Sequence, residues 1–414
     1  MPDRTIAAFY PTGPLSVNST AAVARLVSQV TSWLGRSYPG QVAAVCMGES
    51  NLRDVEICDL SLPRIRKILN GLRNRLAFVT RESGLDEVTS RTHRGVEEML
   101  KHGLEPRVIV TATAPAAVLC RQHFPNAGII LWVHAAPVRG TERWAERAFQ
   151  AADALVVPSR ALYQLLWDRF AFQEFTPPVW IIENYADLND FYVPTQEQRR
   201  EARRKLQLQE DEFVIAHVSR GPVKGLQILE AALPLVSLNG RRLTVLSAGD
   251  KGGGSLQLTE KHAIKRLGRI PIHDLRTLYH AADLGAIPSV WFETFSLAAV
   301  EMMACGLCVV ASRSGGLCEV ITDGRTGRIV SRPNDVELWA SMLQEMITDE
   351  TLRPDLARQG RLEVGSRFSG TVFYAHWKRL IDSFLSHPSH IPIILDTRTS
   401  LIGRDQCKPQ TVKT

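Results

Sequence analysis

Short apolar runs alternate with longer amphipathic stretches along most of the chain. A short apolar run bounded by turn residues predicts a buried strand, and apolar residues at helical spacing predict a helix. The predicted strands of the first half are Thr5–Tyr10, Val42–Met47, Arg107–Thr111, Gly128–Val133, Ala154–Val157 and Val179–Ile182. Those of the second half are Phe213–Val218, Leu243–Ser247, Ala263–Leu267, Leu284–Ile287, Cys308–Ala311 and Gly327–Val330. Strands that alternate with helices indicate an α/β protein whose parallel sheets carry helices on both faces.

Two such series in tandem predict two doubly wound domains, and ligands of such sheets bind at the carboxyl ends of the strands. The charged segment Glu183–Glu212 interrupts the alternation and is the expected interdomain connection. We therefore expect an N-terminal domain over residues 1–190 and a C-terminal domain over residues 191–366. Residues 367–386 are predicted to form a helix that returns to the N-terminal domain, and residues 387–414 a poorly ordered tail.

The composition is that of an ordinary globular protein, with 45% of the 414 residues hydrophobic and 22% charged. A chain of this length is expected to form two domains. No stretch approaches the roughly 20 consecutive apolar residues that a membrane helix needs. The N-terminus lacks a charged leader followed by a long apolar core, so we expect the protein in the cytoplasm.

The formal net charge is +6, and the densest basic run covers residues 199–205. We interpret this run as a solvated helix face near the interdomain connection. The alternative is a surface that meets anionic lipid or another polyanion, which leaves peripheral membrane contact open. No nucleic-acid-binding module accompanies the run, so no nucleic-acid partner is expected.

The seven cysteines are scattered, which favours reduced thiols over a disulfide framework. Cys305 and Cys308 have C-x-x-C spacing. A zinc site would need a second such pair, and a thioredoxin-like site would lie near the first strand–helix turn of the chain. We therefore predict that both are buried thiols.

The segment Pro288–Val330 carries the most specific pattern of the sequence. A predicted strand stops at Pro288, and a predicted helix starts near Ser296. The free backbone N–H groups and the positive dipole end of that helix favour a phosphate. Glu293 precedes the helix and Glu301 lies more than one turn inside it. Downstream of the helix follow the paired glycines and the acid of Gly315-Gly316-Leu317-Cys318-Glu319, and then Asp323-Gly324 and Gly327.

This pattern resembles the donor-site signature of the retaining glycosyltransferases with the GT-B fold, the family-four group that includes glycogen synthases. The resemblance implies two Rossmann-like doubly wound domains facing a cleft, with the acceptor bound by the N-terminal and the nucleotide-sugar donor by the C-terminal domain. It implies that Glu301 bonds the ribose hydroxyls and Glu293 a hydroxyl of the transferred sugar. The amides around Phe295, Ser296 and Leu297 would face the diphosphate or the sugar. Ser296 stands where the family usually has glycine.

Further matches assign roles by the same resemblance. Arg220 and Lys224 resemble the cationic clamp for the diphosphate. Arg269 and Ile270 lie in the segment that holds the base, and His134 follows a strand where the family often has a histidine near the transferred sugar. Gly13 stands alone where the family usually carries paired glycines near the diphosphate. No Asp-x-Asp is seen, and we expect neither a metal nor a cofactor beyond the nucleotide-sugar co-substrate.

The resemblance predicts transfer of a hexosyl group, with retention, to a hydroxyl of an unknown acceptor such as a glycan or a lipid-linked saccharide. The reaction would be a front-side displacement in which the leaving diphosphate accepts the acceptor's proton. A UDP-sugar is the favoured donor, and GDP-mannose is the alternative. Two other functions remain open: a non-catalytic nucleotide-sugar-binding module, and an epimerase on the same architecture, for which no acid/base set is identified.

Overall fold

The computed structural model describes residues 6–10, 22–46, 52, 55–59, 83–137, 141–170, 177–218, 221–238, 240–249 and 252–386. Gly13, Arg220 and the predicted tail over residues 387–414 lie outside the described residues. The chain divides into two compact units. Unit 1 holds the described residues within Met1–Val157, Tyr163–Ile182 and Tyr374–Thr399, and unit 2 those within Pro158–Leu162 and Glu183–Phe373.

The described elements alternate between strand and helix for most of the chain. The strands are β1 (Ile6–Tyr10), β2 (Val42–Cys46), β3 (Glu56–Asp59), β4 (Val108–Thr111), β5 (Gly128–Trp132), β6 (Ala154–Val157), β7 (Val179–Ile181), β8 (Phe213–Val218), β9 (Leu243–Ala248), β10 (Gly254–Gln257), β11 (His262–Gly268), β12 (Leu284–Ile287), β13 (Val309–Ser312) and β14 (Arg328–Val330). The helices are α1 (Ala22–Ser37), α2 (Ser83–Lys101), α3 (Ala114–His123), α4 (Glu142–Ala151), α5 (Arg160–Phe170), α6 (Gln196–Lys205), α7 (Leu226–Ala232), α8 (Ile272–Ala281), α9 (Leu297–Ala304), α10 (Leu317–Val320), α11 (Val336–Thr348), α12 (Leu352–Arg367) and α13 (Gly370–Ser386).

Unit 1 contains a parallel sheet in the order β3-β2-β1-β4-β5-β6-β7. Each strand predicted for this half is found, within two residues of its expected ends. The part of α13 from Tyr374 onward belongs to this unit. Trp377 on that helix is fully buried, and its ring centroid lies 4.8 Å from that of Trp132. The ring of Phe384 covers Gly128 so closely that a Cβ there would collide with it.

Unit 2 contains a sheet in the order β10-β11-β9-β8-β12-β13-β14, in which only β10 runs antiparallel to its neighbour. Its core has two halves because alternate residues of a strand face opposite sides of the sheet. Phe213 and Ile215 of β8 pack into one half, and Val214 and Ala216 into the other. The sheet of unit 2 is therefore covered on two faces, and the predicted α/β class is confirmed.

The strand order of unit 2 reverses between β8 and β12. From β8 the chain proceeds to β9, β10 and β11 on one side, and it returns with β12 on the other side of β8. In open α/β sheets the crevice at such a reversal, beyond the carboxyl ends of the strands, is where ligands bind. The loops that follow β8 and β12 therefore form the candidate site of this unit.

The basic run 199–205 lies on α6, but it is not a uniformly solvated face. The guanidinium of Arg203 is buried and donates to the carbonyl oxygens of Ala281 at 3.0 Å, Gln209 at 2.8 Å and Glu212 at 2.5 Å. Arg199 donates to the carbonyl of Ala282 at 2.5 Å. Both arginines also pair with Asp283, at 2.6 Å from Arg199 and 3.5 Å from Arg203. The interpretation as a solvated face is wrong for Arg199 and Arg203 and holds for Arg204 and Lys205, whose side chains are 79% and 63% exposed.

The two thiols of the C-x-x-C pair are buried, as predicted: Cys305 is 2% exposed and Cys308 1%. Burial raises the pKa of the Cys308 thiol to about 12, and it raises the pKa of the Cys305 thiol further. Both cysteines are therefore protonated and unreactive at neutral pH. Among the described residues, no helix combines the length and the apolar character needed to cross a membrane.

Two variants on α6 separate the anchored arginines from the solvated ones. Arg203→Ala leaves buried carbonyl oxygens without their donor, so we expect the free energy of unfolding of unit 2 to fall by about 2–3 kcal/mol. Arg204→Ala removes a similar charge from the same helix, but it breaks only an exposed pair with Glu201, so little change is expected. Urea unfolding of both variants measures the difference. Equal stability of the two variants would contradict the anchoring role.

Candidate active site

Three loops meet at the carboxyl edge of the unit 2 sheet. Lys224 follows β8, Glu293 follows β12 and Ser314 follows β13, and these three strands are neighbours in the sheet. Each loop contributes a contact to Glu293 or to its backbone. The sequence placed Lys224 and Glu293 in one donor site, and the structure brings them into direct contact.

The carboxylate of Glu293 is held by two donors. Its Oε1 accepts hydrogen bonds from Nζ of Lys224 and from Oγ of Ser289. Glu293 is 7% exposed, and Ser289 is fully buried. The side chain of Lys224 remains 34% exposed, so the ammonium reaches solvent from one side of the pair. A buried carboxylate requires such donors, because an unpaired charge away from water is strongly unfavourable.

The backbone around Glu293 is fixed from the loop after β13. The amide of Glu293 donates to Oγ of Ser314 at 3.2 Å, and that hydroxyl donates to the carbonyl of Trp291 at 2.6 Å. The amide of Gly316 donates to the carbonyl of Glu293 at 2.7 Å. A Cβ on Gly316 would lie 2.6 Å from the carbonyl oxygen of Thr294. The second glycine of the Gly-Gly pair is therefore required by the close approach of two backbones.

Trp291, on the same loop as Glu293, is 63% exposed.

Gly225 allows the Lys224 loop to reach the loop after β12. Gly225 has φ +79°, in the left-handed region, and a Cβ there would overlap the carbonyl oxygen of Pro288. The two loops are also joined by a hydrogen bond from the amide of Val290 to the carbonyl of Val223, at 3.0 Å. The glycine that follows Lys224 thus has a structural reason, since a residue with a Cβ could not make this close approach.

The helix α9 starts immediately after the Glu293 loop. Glu301 lies inside α9, 4% exposed, and its Oε2 accepts a hydrogen bond from Oη of the buried Tyr279 at 3.1 Å. Ser296 precedes the helix with φ +92°, a conformation that glycine adopts without strain and serine does not. Phe295 is buried, with its ring edge-on to Phe368 at 5.6 Å between centroids. Only the backbone of Phe295 is therefore available to a ligand. Leu297, the first residue of α9, is partly buried.

The other predicted residues that the structure describes follow β11 and β5. Arg269 and Ile270 follow β11, which is separated from β8 by β9, and Arg269 is exposed whereas Ile270 packs on the core. His134 belongs to unit 1, where it follows β5 with its ring centroid 4.3 Å from that of Trp132. Gly13 and Arg220 lie outside the described residues.

Three residues of the site were not assigned a role from the sequence. Ser289 belongs to the Pro-Ser pair of the recognised pattern, and Tyr279 belongs to the segment matched to base binding, so a signal existed for both. Nothing in the sequence singles out Ser314. The acid that ends the Gly-Gly motif, Glu319, is engaged differently: its carboxylate accepts from the backbone amides of Arg160 at 2.9 Å and Ala161 at 2.6 Å. Burial raises the pKa of Glu319, and these backbone hydrogen bonds oppose that shift.

No group of three or more His, Cys, Asp or Glu side chains among the described residues is arranged to hold a metal ion. The expected independence from metals and cofactors stays a prediction, as do the roles of the individual site residues.

Comparison with known proteins identifies the family of the segment that contains the site. The family model for glycosyl transferases group 1 matches residues 198–363. A D-inositol 3-phosphate glycosyltransferase from Mycobacterium ulcerans is 34% identical over 198 residues, which are 45% of this chain and 41% of the relative. One from Salinispora arenicola is 32% identical over 260 residues, which are 58% and 55% of the two chains. The chain thus spans about half the length of the curated relatives it matches.

Solved structures match over almost the whole chain. Sucrose-phosphate synthase from Thermosynechococcus elongatus superposes with a TM-score of 0.70 at 19% identity, covering 92% of this chain and 99% of that one. Anabaena HepE, solved with UDP and glucose, has a TM-score of 0.70 at 18% identity, covering 92% and 100%. These likenesses show the GT-B fold. Residues 198–363 match the group 1 glycosyltransferases, and the resemblance predicted from Pro288–Val330 is confirmed.

The left-handed backbone of Ser296 leads to a stability prediction. Ser296→Gly relieves the steric conflict of a Cβ at positive φ, so we expect the free energy of unfolding to rise by about 1 kcal/mol. Ser237→Gly is the matched control, because Ser237 is exposed and is not among the residues with positive φ. There the added backbone freedom of the unfolded chain should lower stability slightly. Thermal unfolding measures the stability of both variants. A Ser296→Gly variant no more stable than the parent protein would contradict the steric conflict at Ser296.

His134 leads to a prediction on pH. Burial lowers its pKa from 6.5 to about 3, so the folded protein holds it neutral where the unfolded chain protonates it. The resulting stability is present above about pH 6.5 and is lost as the pH falls towards 3. Between pH 6.5 and pH 5, we expect the free energy of unfolding to fall by on the order of 1 kcal/mol less in His134→Gln than in the wild type. His123→Gln, at an exposed position, is the control. An unchanged pH profile in His134→Gln would refute the burial effect.

Proposed function

We propose that this chain is a retaining glycosyltransferase that moves a hexosyl group from a nucleotide sugar to a hydroxyl acceptor. The observation that carries the proposal is the contact between Lys224 and Glu293 at the reversal point of the unit 2 sheet. This contact joins a cation suited to a diphosphate and a fixed carboxylate suited to a sugar hydroxyl. The family match of residues 198–363 supports it independently.

Each side chain of the site has a role in this reaction. Lys224, together with Arg220, neutralises the negative charge that gathers on the departing diphosphate, which lowers the barrier by electrostatics. The first amides of α9, after Ser296, bind a phosphate oxygen at the positive end of the helix. Glu293 accepts a hydrogen bond from a hydroxyl of the transferred sugar, and Glu301 from the ribose hydroxyls. His134 is neutral at pH 7, so it would act as a hydrogen-bonding group rather than as a cation.

The transfer itself needs no strong protein base. The bond between the anomeric carbon and the phosphate oxygen breaks, and the acceptor oxygen forms its bond on the same face of the sugar. The acceptor's proton passes to the leaving phosphate oxygen, so charge and atoms balance. Glu293 already accepts from Lys224 and Ser289, an arrangement that suits a positioning carboxylate rather than a proton acceptor.

A UDP-sugar is the proposed donor, and a GDP-mannose donor is the alternative. The choice of UDP is supported by the structural likeness to HepE, a protein solved in complex with UDP-glucose as well. The curated relatives are named for inositol 3-phosphate, which makes this compound one acceptor to test beside simple saccharides. A glycan or a lipid-linked saccharide is the broader acceptor class. Contact with a membrane surface is expected only if the acceptor is lipid-linked.

Three variants test the proposed roles. We expect Lys224→Ala and Glu293→Gln each to lower kcat by about 100-fold, because both act on the reacting groups. Glu301→Gln should instead weaken binding of the nucleotide diphosphate by about tenfold, because it loses a charged acceptor to the ribose. Turnover of UDP-glucose with the acceptor panel gives kcat, and calorimetric titration with UDP, GDP and ADP gives affinity and base preference.

The controls change the same residue types at exposed positions. Lys261→Ala and Glu210→Gln should leave both turnover and affinity unchanged. Full turnover in Lys224→Ala and Glu293→Gln would contradict the proposal. Tight binding of a diphosphate without turnover of any donor would favour the non-catalytic binding module. Preference for GDP would redirect the donor screen to mannose.

A further inference from the structure

We propose that Tyr279 is a positioning residue that presents the Glu301 carboxylate to the ribose of the donor and so makes the site select ribose over deoxyribose. The inference rests on the proposed function, since it assumes that Glu301 meets the ribose. The hydroxyl of Tyr279 donates to Oε2 of Glu301 at 3.1 Å. Tyr279 is fully buried, and Glu301 is 4% exposed.

This hydrogen bond restrains the carboxylate without using up its capacity. An ionised carboxylate has two oxygens with about four acceptor positions, and the hydroxyl of Tyr279 takes up one of them. A side chain with three rotatable bonds would otherwise sample several orientations of its carboxylate, and fixing one lowers the entropy cost of binding a ligand. The two vicinal hydroxyls of a ribose can then donate to a carboxylate that is already oriented.

The ring of Tyr279 is buried in the core of unit 2. Its ring centroid lies 5.9 Å from that of Phe191, inside the core on one side of the unit 2 sheet. Tyr279 lies in the last turn of α8, and the carbonyl oxygens that end this helix accept from the two anchored arginines of α6. Arg203 donates to Ala281 at 3.0 Å, and Arg199 donates to Ala282 at 2.5 Å.

These contacts form a continuous support from α6 to the donor site. The guanidinium groups fix the end of α8, α8 fixes the ring of Tyr279, and the hydroxyl fixes Glu301. The chemistry explains why this end of α8 is tied by cations, which interact favourably with the negative end of a helix. These contacts also account for Arg199 and Arg203 of the basic run on α6 without a polyanionic partner.

The test compares a ribose ligand with its deoxyribose counterpart. Calorimetry would measure Kd for the diphosphate that the wild type binds best among UDP, GDP and ADP, and for the 2′-deoxy form of the same diphosphate. In Tyr279→Phe the ring and the core packing are kept, and only the hydroxyl is lost. We expect affinity for the ribose form to fall about fivefold and affinity for the deoxy form to change less. The ratio of the two Kd values should therefore move closer to one.

Two further proteins make the result specific. In Glu301→Gln the added Tyr279→Phe change should have no further effect on the ratio, because the two side chains act through one contact. Tyr192→Phe is the matched control: its hydroxyl accepts from Gln198 at 3.3 Å in the same unit, and the ratio should stay at the wild-type value.

The outcomes separate the two claims. An unchanged ratio in Tyr279→Phe, or an equal loss for both ligands, would overturn the positioning role, because a purely structural tyrosine affects both ligands alike. If Glu301→Gln binds both forms as the wild type does, or if the folded wild type binds none of the diphosphates, the proposed function itself fails, and the assignment of Tyr279 fails with it.

Discussion

The candidate site depends on one constraint, which is that a carboxylate removed from water must be met by hydrogen-bond donors. Glu293 is 7% exposed, and three separate loops supply what it needs. Lys224 and Ser289 bind its carboxylate, while Ser314 and Gly316 bind its backbone. Because these hydrogen-bond partners come from loops after three adjacent strands, they fix the Glu293 loop at the carboxyl edge of the sheet. The demand for glycine at residues 225 and 316 follows from the same crowding, since a Cβ at either would meet the backbone of the Glu293 loop or of Pro288.

A second polar network fixes the helix behind the site. Asp283 accepts from both arginines of α6 and, through Oδ2, from the amide of Val214 at the start of β8, at 2.8 Å. One carboxylate thereby ties α6, the end of α8 and the central strand together. Breaking such a buried network on one side leaves its other members unsatisfied, which is more costly than the net strength of the bonds suggests. The network therefore specifies one arrangement of α8, the helix that carries Tyr279, where apolar packing alone would tolerate several.

The sequence predicted the strands of both sheets because buried parallel strands form apolar runs, and these are visible without knowing the partners. It failed at β10, whose residues Gly254–Gln257 are all exposed and form no apolar run, and at the short β3. Glu293, Glu301 and Lys224 were recognised by motif, but their contacts were not. Lys224 and Glu293 are 69 residues apart, and Tyr279 and Glu301 are 22 apart on different elements. Such pairs depend on strand order, which periodicity does not report. The prediction of a solvated face on α6 failed for a related reason. A charged residue is expected in solvent unless its partner is known, and the partner of Arg199 and Arg203 is the distant, partly buried Asp283.

The pair of Lys224 and Glu293 also bears on how a donor enters. Under the proposed roles the two residues bind different parts of the donor, the diphosphate and the sugar, and they also bind each other. The ion pair compensates the charge of the buried Glu293 carboxylate. When a diphosphate binds, it offers Lys224 a stronger anionic partner, and a sugar hydroxyl together with Ser289 can then take over the acceptor positions of Glu293. The desolvation cost of Glu293 is thus met in both states, so donor binding exchanges partners instead of exposing a charge. Lys224 is the more exposed member of the pair, which is what its proposed role of meeting a phosphate from solvent requires.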